Sequence, residues 1–400
     1  MHGHSPTHGE VRAQLAAELD ALRAESRLRV RPVIDSPDDR VVVLHADGAR
    51  RKLVNWASND YLGAANRLTV KNAATRALRT YGAGAGAARL LAGGLRCHRR
   101  LEERLARWLG CEEALLTSSG YQANLATLVA LVAAPEDAII VDRACHASTY
   151  DGAKLASVPL LRFAHNDVAD LARQLDRSEG ARRRVVCVES VYSMDGDEAP
   201  LVAIQALCHA RGALLVVDEA HAIGVLGPGV RGLCAELGVV PDLRVGTCSK
   251  SLGAQGGFVC GDRDLVELIV NRGRAFIFST ALAPSSAGAA VAVLDLLRDR
   301  PQLPAELLVA AAEVRQGLRA QGWEVPEGRS PIVPVVVGDE RAALDLSAAL
   351  RARGHFAPAI RPPTVPAGAC RLRLTATLAH KPVDRRRLLK VMAELKAAAP

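Results

Sequence analysis

Apolar positions along this chain recur with two periods. Between about Ala114 and Cys260, short apolar runs alternate with helical stretches. The runs are Ala114–Thr117, Ala138–Val141, Val185–Glu189, Ala213–Asp218, Leu243–Thr247 and Phe258–Cys260. Most are continuous rather than alternating, which is the pattern of strands buried on both faces. Helical patterns fill most of the gaps, at Asn124–Ala133, His146–Leu155, Val168–Leu175 and Leu201–Ala210. This alternation predicts an α/β fold, a largely parallel sheet covered by helices on both faces.

The flanks read differently. Val11, Leu15, Leu19 and Leu22 recur at helical spacing and predict an amphipathic helix over Glu10–Arg27. Val41–Leu44 and Lys52–Trp56 flank Asp47-Gly48 and predict a hairpin. Helices follow at Thr69–Thr80 and Cys97–Leu109, the second with Leu101, Leu105, Trp108 and Leu109 as its core stripe and Gly110 as its stop. Past about Ser285 come a long helix to Leu297, helices at Ala305–Gln321 and Glu340–Arg353, strands at Ile332–Val337 and Arg371–Thr375, and a last helix from Val383 to about Ala397. The expected division is an N-terminal segment (1–57) packed on a smaller α+β C-terminal domain (286–400), with a large domain (58–285) between them.

Composition narrows the function classes. Hydrophobic residues make up 49% and charged residues 24% of 400 positions, the balance of a globular chain with a sizeable core. Aromatics are only 3%, too few for a base-stacking surface, so no nucleic-acid partner is expected. The net charge of +8 reads first as solvated arginine-rich faces, and also suits an anionic substrate such as a coenzyme A thioester. Nine cysteines with no Cys-x-x-Cys pair read as reduced thiols in a cytoplasmic protein. No apolar run approaches the length of a membrane span, and the N-terminus lacks a signal-peptide layout. His2, His4 and His8 read as a disordered start rather than a metal site, and no metal is expected.

The chemistry concentrates between Ala213 and Gly257. In ALLVVDEAHAIG a buried strand delivers Asp218, with His221 three residues on, and GTCSKSLGAQGG brings Lys250 in a small-residue turn. An acid, an imidazole and an amine in that order suit pyridoxal 5'-phosphate (PLP). The amine forms a Schiff base, the acid pairs with the pyridinium, and the imidazole addresses the ring oxygen. Desolvation in the turn would lower the Lys250 pKa and favour the nucleophilic amine. The competing readings are a solvated lysine, a helix-capping Asp218 and structural histidines. His146, just past a strand, would stack on the ring. SSGYQAN joins a strand to a helix, so Gly120 and Tyr121 would cradle the phosphate at the helix N-terminus, with the Thr247 hydroxyl beside them. YGAGAGAARLLAGG lacks the Lys-Ser/Thr of a P-loop and reads as a flexible substrate-side loop.

These stretches, with SNDYLG, LEERLARWLG, DRACHAS, ESVYSMDGD and FIFST, resemble the α-oxoamine synthase family of fold-type I PLP enzymes over about Asn55–His380. The resemblance implies a mostly parallel seven-stranded sheet in the large domain. It also implies a homodimer with its active site at the interface. It assigns Lys250 to the cofactor carbonyl, Asp218 to the pyridinium and His146 to the ring face. His221 and Ser193 lie near the ring oxygen, with Glu189 in support. Gly120, Tyr121 and Thr247 hold the phosphate, and Ser279 and Thr280 serve the partner subunit's phosphate. Asn59 sits at the substrate entrance, Arg361 grips a carboxylate with its bidentate fork, and Arg29 meets the distal carboxylate of a dicarboxylic acyl chain.

Within the family, RFAHNDV and AIRPPTVPAG match best the members that join L-alanine to pimeloyl-CoA or pimeloyl-carrier protein, in biotin biosynthesis. Alternatives are a glycine-using or long-chain acyl sister enzyme, and a non-catalytic PLP-binding partner or regulatory subunit. Ala83, Ala85 and Ala87 depart from the serines common in relatives, which puts the acyl contacts there in question.

Overall fold

The protein is represented by a computed structural model that describes residues 5–25, 27–29, 31–35, 38–46 and 49–398. Its centre is a seven-stranded sheet. Across it lie Glu113–Thr117, Gly257–Gly261, Leu243–Thr247, Leu214–Asp218, Arg184–Glu189, Ala138–Asp142 and Leu160–Phe163. Five adjacent strands are mutually parallel, and Gly257–Gly261 runs antiparallel to both of its neighbours. Consecutive residues such as Ile139, Ile140 and Val141, or Leu215, Val216 and Val217, are all buried. Both faces of the sheet are therefore covered, which is why these strands read as unbroken apolar runs.

Parallel alignment puts the carboxyl ends of neighbouring strands at one edge. Glu189 pairs in register with Asp218, and Thr247 with Gly257, which pairs in turn with Thr117. Chain leaves the sheet there into turns and helix starts, the usual place for a ligand crevice in an open α/β sheet.

Several short elements escape the sequence pattern, and two bear on the large domain. Leu160–Phe163 is an edge strand with only Phe163 buried, so its apolar run is too short to read. Arg263–Arg272 is a helix capped by Asp262 with only Val266 and Ile269 buried, a stripe too thin to signal its period.

A second core collects Val333, Val335, Leu372, Leu374, Leu318, Leu388 and Met392. It covers the antiparallel sheet of Ile332–Gly338, Cys370–Thr375 and Ala359–Ile360. The N-terminal hairpin Val41–Ala46 and Ala49–Asn55 joins this part of the molecule, because His355–Phe356 pairs parallel with its second strand. Fully buried Trp56 belongs to the second core. It donates its Nε1–H to His355 Nδ1 at 3.0 Å and stacks on His380 with ring centroids 3.9 Å apart. The long helix Pro284–Asp299 packs by contrast into the first core, through Ala287, Val293 and Leu297. On the C-terminal side, Leu303 and Leu307 still pack into the first core, and the second core takes over from Val314.

The first helix spans His8–Ala24, opened by Thr7 and Glu10 capping each other. It buries none of its residues, and Val11, Leu15, Leu19 and Leu22 are between 39% and 55% exposed. The Asp47-Gly48 turn, His2 and His4 lie outside the described residues. No described helix is long and apolar enough to cross a membrane.

Candidate active site

A cavity of about 270 Å³ opens at the carboxyl edge of the large sheet. It is lined by Gly120, Tyr121, His146, Glu189, Ser193, Asp218, His221, Thr247 and Lys250, which brings nine expected positions together from across 131 residues of chain.

Lys250 sits in the turn after Leu243–Thr247, with its Nζ 2.9 Å from His221 Nε2. The turn is closed by Gly253, whose N–H donates to the Lys250 carbonyl at 2.9 Å. Gly253 has φ +55°, and a Cβ there would meet Ala64 and the Ala65 amide at 2.8 Å, so only glycine fits. Burial pushes the Lys250 pKa down to about 8, against the pull of Asp218 and Glu189 and with help from Arg373.

His221 is buried, and its Nδ1 is hydrogen-bonded to the Tyr61 hydroxyl at 2.5 Å. Burial, then the charges of Lys250, Arg373 and His146, hold it well below the usual histidine range, so the ring is neutral. Asp218 accepts from the Asn124 amide at 2.8 Å and from the Ala220 N–H at 2.9 Å. A carboxylate has about four acceptor positions, so two donors leave room for a further cationic N–H partner from the cavity. His146 caps the helix Ala147–Leu155, accepting the Ser148 N–H on Nδ1 at 3.2 Å. Burial lowers its pKa, against the opposing effect of Asp218. Its ring meets Tyr121 edge-on, with centroids 6.4 Å apart.

Glu189 is buried, and burial followed by the Asp218 charge raises its pKa to about 8. It accepts the backbone N–H groups of His146 and Ser193, and so ties two walls of the cavity together. The helix Gly120–Leu131 points its first N–H groups at the cavity, next to Thr247 and Ser249, whose hydroxyls lie 2.7 Å apart. Gly257 packs so closely beneath this turn that a Cβ would come within 2.3 Å of the Gly120 nitrogen. An anion is well placed in such a cradle.

Other expected positions stand apart. Arg29 lines an adjoining cavity of about 730 Å³, which also includes Arg143, Arg371, Met194 and the Pro363–Pro366 loop and shares His146 and Ser193 with the first. Asn59 accepts from the Arg373 guanidinium at 3.0 Å. Arg361 lines neither cavity, and its guanidinium is paired with Glu340 at 2.8 Å. Ser279 and Thr280 lie in a niche around the corner, where Ser279 Oγ accepts from Gln122 and the Thr280 carbonyl accepts from Ser118.

Three contributors went unread in the sequence. Asn124 is one turn past Gly120, so the SSGYQAN spacing carried a signal for it. Tyr61 lies inside SNDYLG. Arg373 is buried on the strand Cys370–Thr375 and donates to Ser193 O, Asn59 and Thr375. Its charge acts on both Lys250 and His221. Nothing in RLRLT separates it from Arg371, because residues two apart share one face of a strand.

A family model, aminotransferase class I and II, matches residues 51–391. The chain belongs to that family. It is 47% identical over 368 residues to the 8-amino-7-oxononanoate synthase of Anaeromyxobacter dehalogenans, covering 92% of this chain and 91% of that protein. It is 42% identical over 387 residues to the enzyme of the same name from Geobacter sulfurreducens, covering 95% and 97%. Among solved structures it is similar to serine palmitoyltransferase from S. paucimobilis with bound PLP–myriocin aldimine. That similarity has 30% identity and a TM-score of 0.90, covering 98% of this chain and 99% of that one. The resemblance to α-oxoamine synthases drawn from the motifs is met by these relatives, and so is the fold-type I architecture.

Proposed function

We propose that this protein is a PLP-dependent acyltransferase of biotin biosynthesis. It condenses L-alanine with pimeloyl-CoA, or pimeloyl-carrier protein, to give 8-amino-7-oxononanoate, carbon dioxide and free thiol. The observation that carries this reading is the half-buried Lys250 amine, 2.9 Å from a neutral imidazole in a cavity that also holds Asp218. Relatives named 8-amino-7-oxononanoate synthase at 42–47% identity supply the choice of reaction.

The residues present fit PLP. The cavity offers an amine of lowered pKa, a carboxylate with spare acceptor capacity, and a glycine-floored helix N-terminus. When bound, PLP supplies an electron sink for the electrons left at the amino-acid Cα. Lys250 would hold the aldehyde carbon covalently, and Asp218 would keep the ring nitrogen protonated. Gly120, Tyr121 and Thr247 would hold the phosphate, His146 the ring face, and His221 with Ser193 the ring oxygen. Glu189 fixes the backbone of both His146 and Ser193.

A neutral Lys250 amine beside the amino-acid Cα would be the base that removes its proton. Arg373, buried and charged beside that amine, is the best-placed grip for the amino-acid carboxylate. The larger cavity would take the acyl thioester, with Arg29 toward its distal carboxylate. Formation of the bond between that Cα and the thioester carbon would release the thiol. The β-keto acid then loses carbon dioxide because its ketone accepts the electrons.

The reading includes a cytoplasmic homodimer in which Ser279 and Thr280 reach the partner's phosphate site. The exposed apolar stripe of His8–Ala24 supports a second copy as its cover. The test is a substrate matrix of alanine, serine and glycine against pimeloyl, acetyl and palmitoyl thioesters, read by thiol release. Highest kcat/KM for alanine with the pimeloyl donor is expected. Preference for glycine with acetyl-CoA, or serine with a long-chain donor, would replace this reading with a sister activity.

A further inference from the structure

Cys111 and Cys260 lie far apart in sequence and meet behind the large sheet, with their Sγ atoms 3.5 Å apart. Cys111 follows the helix Arg96–Leu109 and is half-buried, unlike the fully buried cysteines around it. Cys260 is fully buried on the strand Gly257–Gly261, opposite Ala114 in the ladder. The guanidinium of Arg244 stands over this corner. It is buried, donates to the Leu109 carbonyl at 2.9 Å, and lies 3.7 Å from Glu219. A half-exposed thiol beside a fixed cation and a second thiol is the arrangement of a reactive cysteine with its resolving partner. The other free cysteines are buried and away from this arrangement, except Cys234, which shares the Arg244 neighbourhood.

We propose that Cys111 and Cys260 form a peroxide-sensitive thiol pair that closes into a disulfide across the edge of the large sheet. The Cys260 thiol, and more weakly the Arg244 charge, hold the Cys111 pKa down to about 7 against its burial. The Cys111 thiolate attacks one oxygen of a peroxide. The O–O bond breaks, hydroxide leaves, and Cys111 becomes a sulfenic acid. The Cys260 sulfur then attacks the Cys111 sulfur. The S–S bond forms, the S–O bond breaks, and the departing hydroxide takes the Cys260 proton as water. Two thiols supply the two electrons that reduce the peroxide, and a dithiol reductant reverses the change.

The bond would join the start of Glu113–Thr117 to the end of Gly257–Gly261. Both strands run from there to the Gly120 cradle at their other ends. It closes a loop of more than 140 residues, so the oxidised chain should melt at a higher temperature.

The test is stoichiometric hydrogen peroxide on the PLP-loaded protein, followed by alkylation, intact mass and peptide mapping. The expected result is one fast loss of two alkylatable thiols, a mass about 2 Da lower, and a Cys111–Cys260 crosslinked peptide. Dithiothreitol should restore both thiols. Cys111→Ser, a change at a half-exposed position, should remove the fast phase, and Cys260→Ala should leave Cys111 as a sulfenic acid with a mass about 16 Da higher and no crosslink. A crosslink from Cys111 to Cys234 would overturn the proposal, as would Cys111 oxidised in wild type with Cys260 still alkylatable. So would a Cys111 no faster than the buried thiols.

Discussion

The Nζ of Lys250 lies 2.9 Å from Nε2 of His221, and the far nitrogen of that ring is hydrogen-bonded to Tyr61. A half-buried amine held by a neutral ring rather than by a carboxylate is free to lose its proton. Lys250→Ala should therefore cut thiol release by at least about 10³-fold and remove the visible band of covalently held PLP. Turnover near wild type in that variant, measured with alanine and the pimeloyl thioester, would move the chemistry to another group.

The same amine sets a pH dependence. Burial lowers its pKa to about 8, so the nucleophilic neutral form grows as pH rises through that value. The rate at which apo protein captures PLP, followed by absorbance, should climb from pH 7 to 9 and level off above it. A profile still rising steeply beyond pH 10 would mean a solvated lysine.

Two arginines compete for the role of carboxylate grip, and structure ranks them differently from sequence. Arg373 is buried, and its charge bears on Lys250, whereas Arg361 is paired with Glu340 outside both cavities. Arg373→Lys should raise KM for alanine about tenfold or more, since an ammonium cannot reproduce the bidentate fork. Arg361→Lys should change it less. The reverse order in steady-state kinetics would restore Arg361 to the grip.

Gly257 has no room for a methyl group. Its Cβ would sit 2.3 Å from the Gly120 nitrogen, and the clash is with backbone that cannot swing aside. Gly257→Ala should cost about 1–3 kcal/mol of stability through overpacking and weaken PLP retention measurably. Gly180→Ala, where nothing lies within 4 Å, is the control and should leave both unchanged. Equal PLP dissociation constants for the two variants would remove the cradle from the phosphate site.

His165 bridges Asp142 and Asp197 at 3.0 and 2.8 Å in the wall of the larger cavity. Burial opposes its charge, but the two carboxylates outweigh burial and push its pKa up to about 10. A raised folded-state value means the stabilisation is complete below the unfolded value near 6.5 and fades as pH climbs through 10. The stability lost in His165→Gln, from urea melts, should thus be larger at pH 6 than at pH 10. A gap independent of pH would assign the bridge to packing alone.

How much of this was legible follows from what each residue does. Asp218, Lys250 and Gly120 announce themselves because apolar runs or glycines surround them, and a charge or a bare backbone there needs a reason. The parallel core was readable because burial on both faces erases alternation. Leu160–Phe163 and Arg263–Arg272 were not, since each buries only one or two side chains. Arg373 was hidden for a different reason. Arg371 and Arg373 are two apart and share one face of their strand, so period-2 logic could not say which arginine faces the amine.

Lys250 rides on the large sheet, whereas Arg373 rides on a strand of the smaller one. On the proposed reading, the group that takes the proton and the group that recognises the amino acid sit on separate sheets of the chain. Selection could retune which amino acid is accepted by reshaping the minor sheet, and leave the reactive machinery untouched.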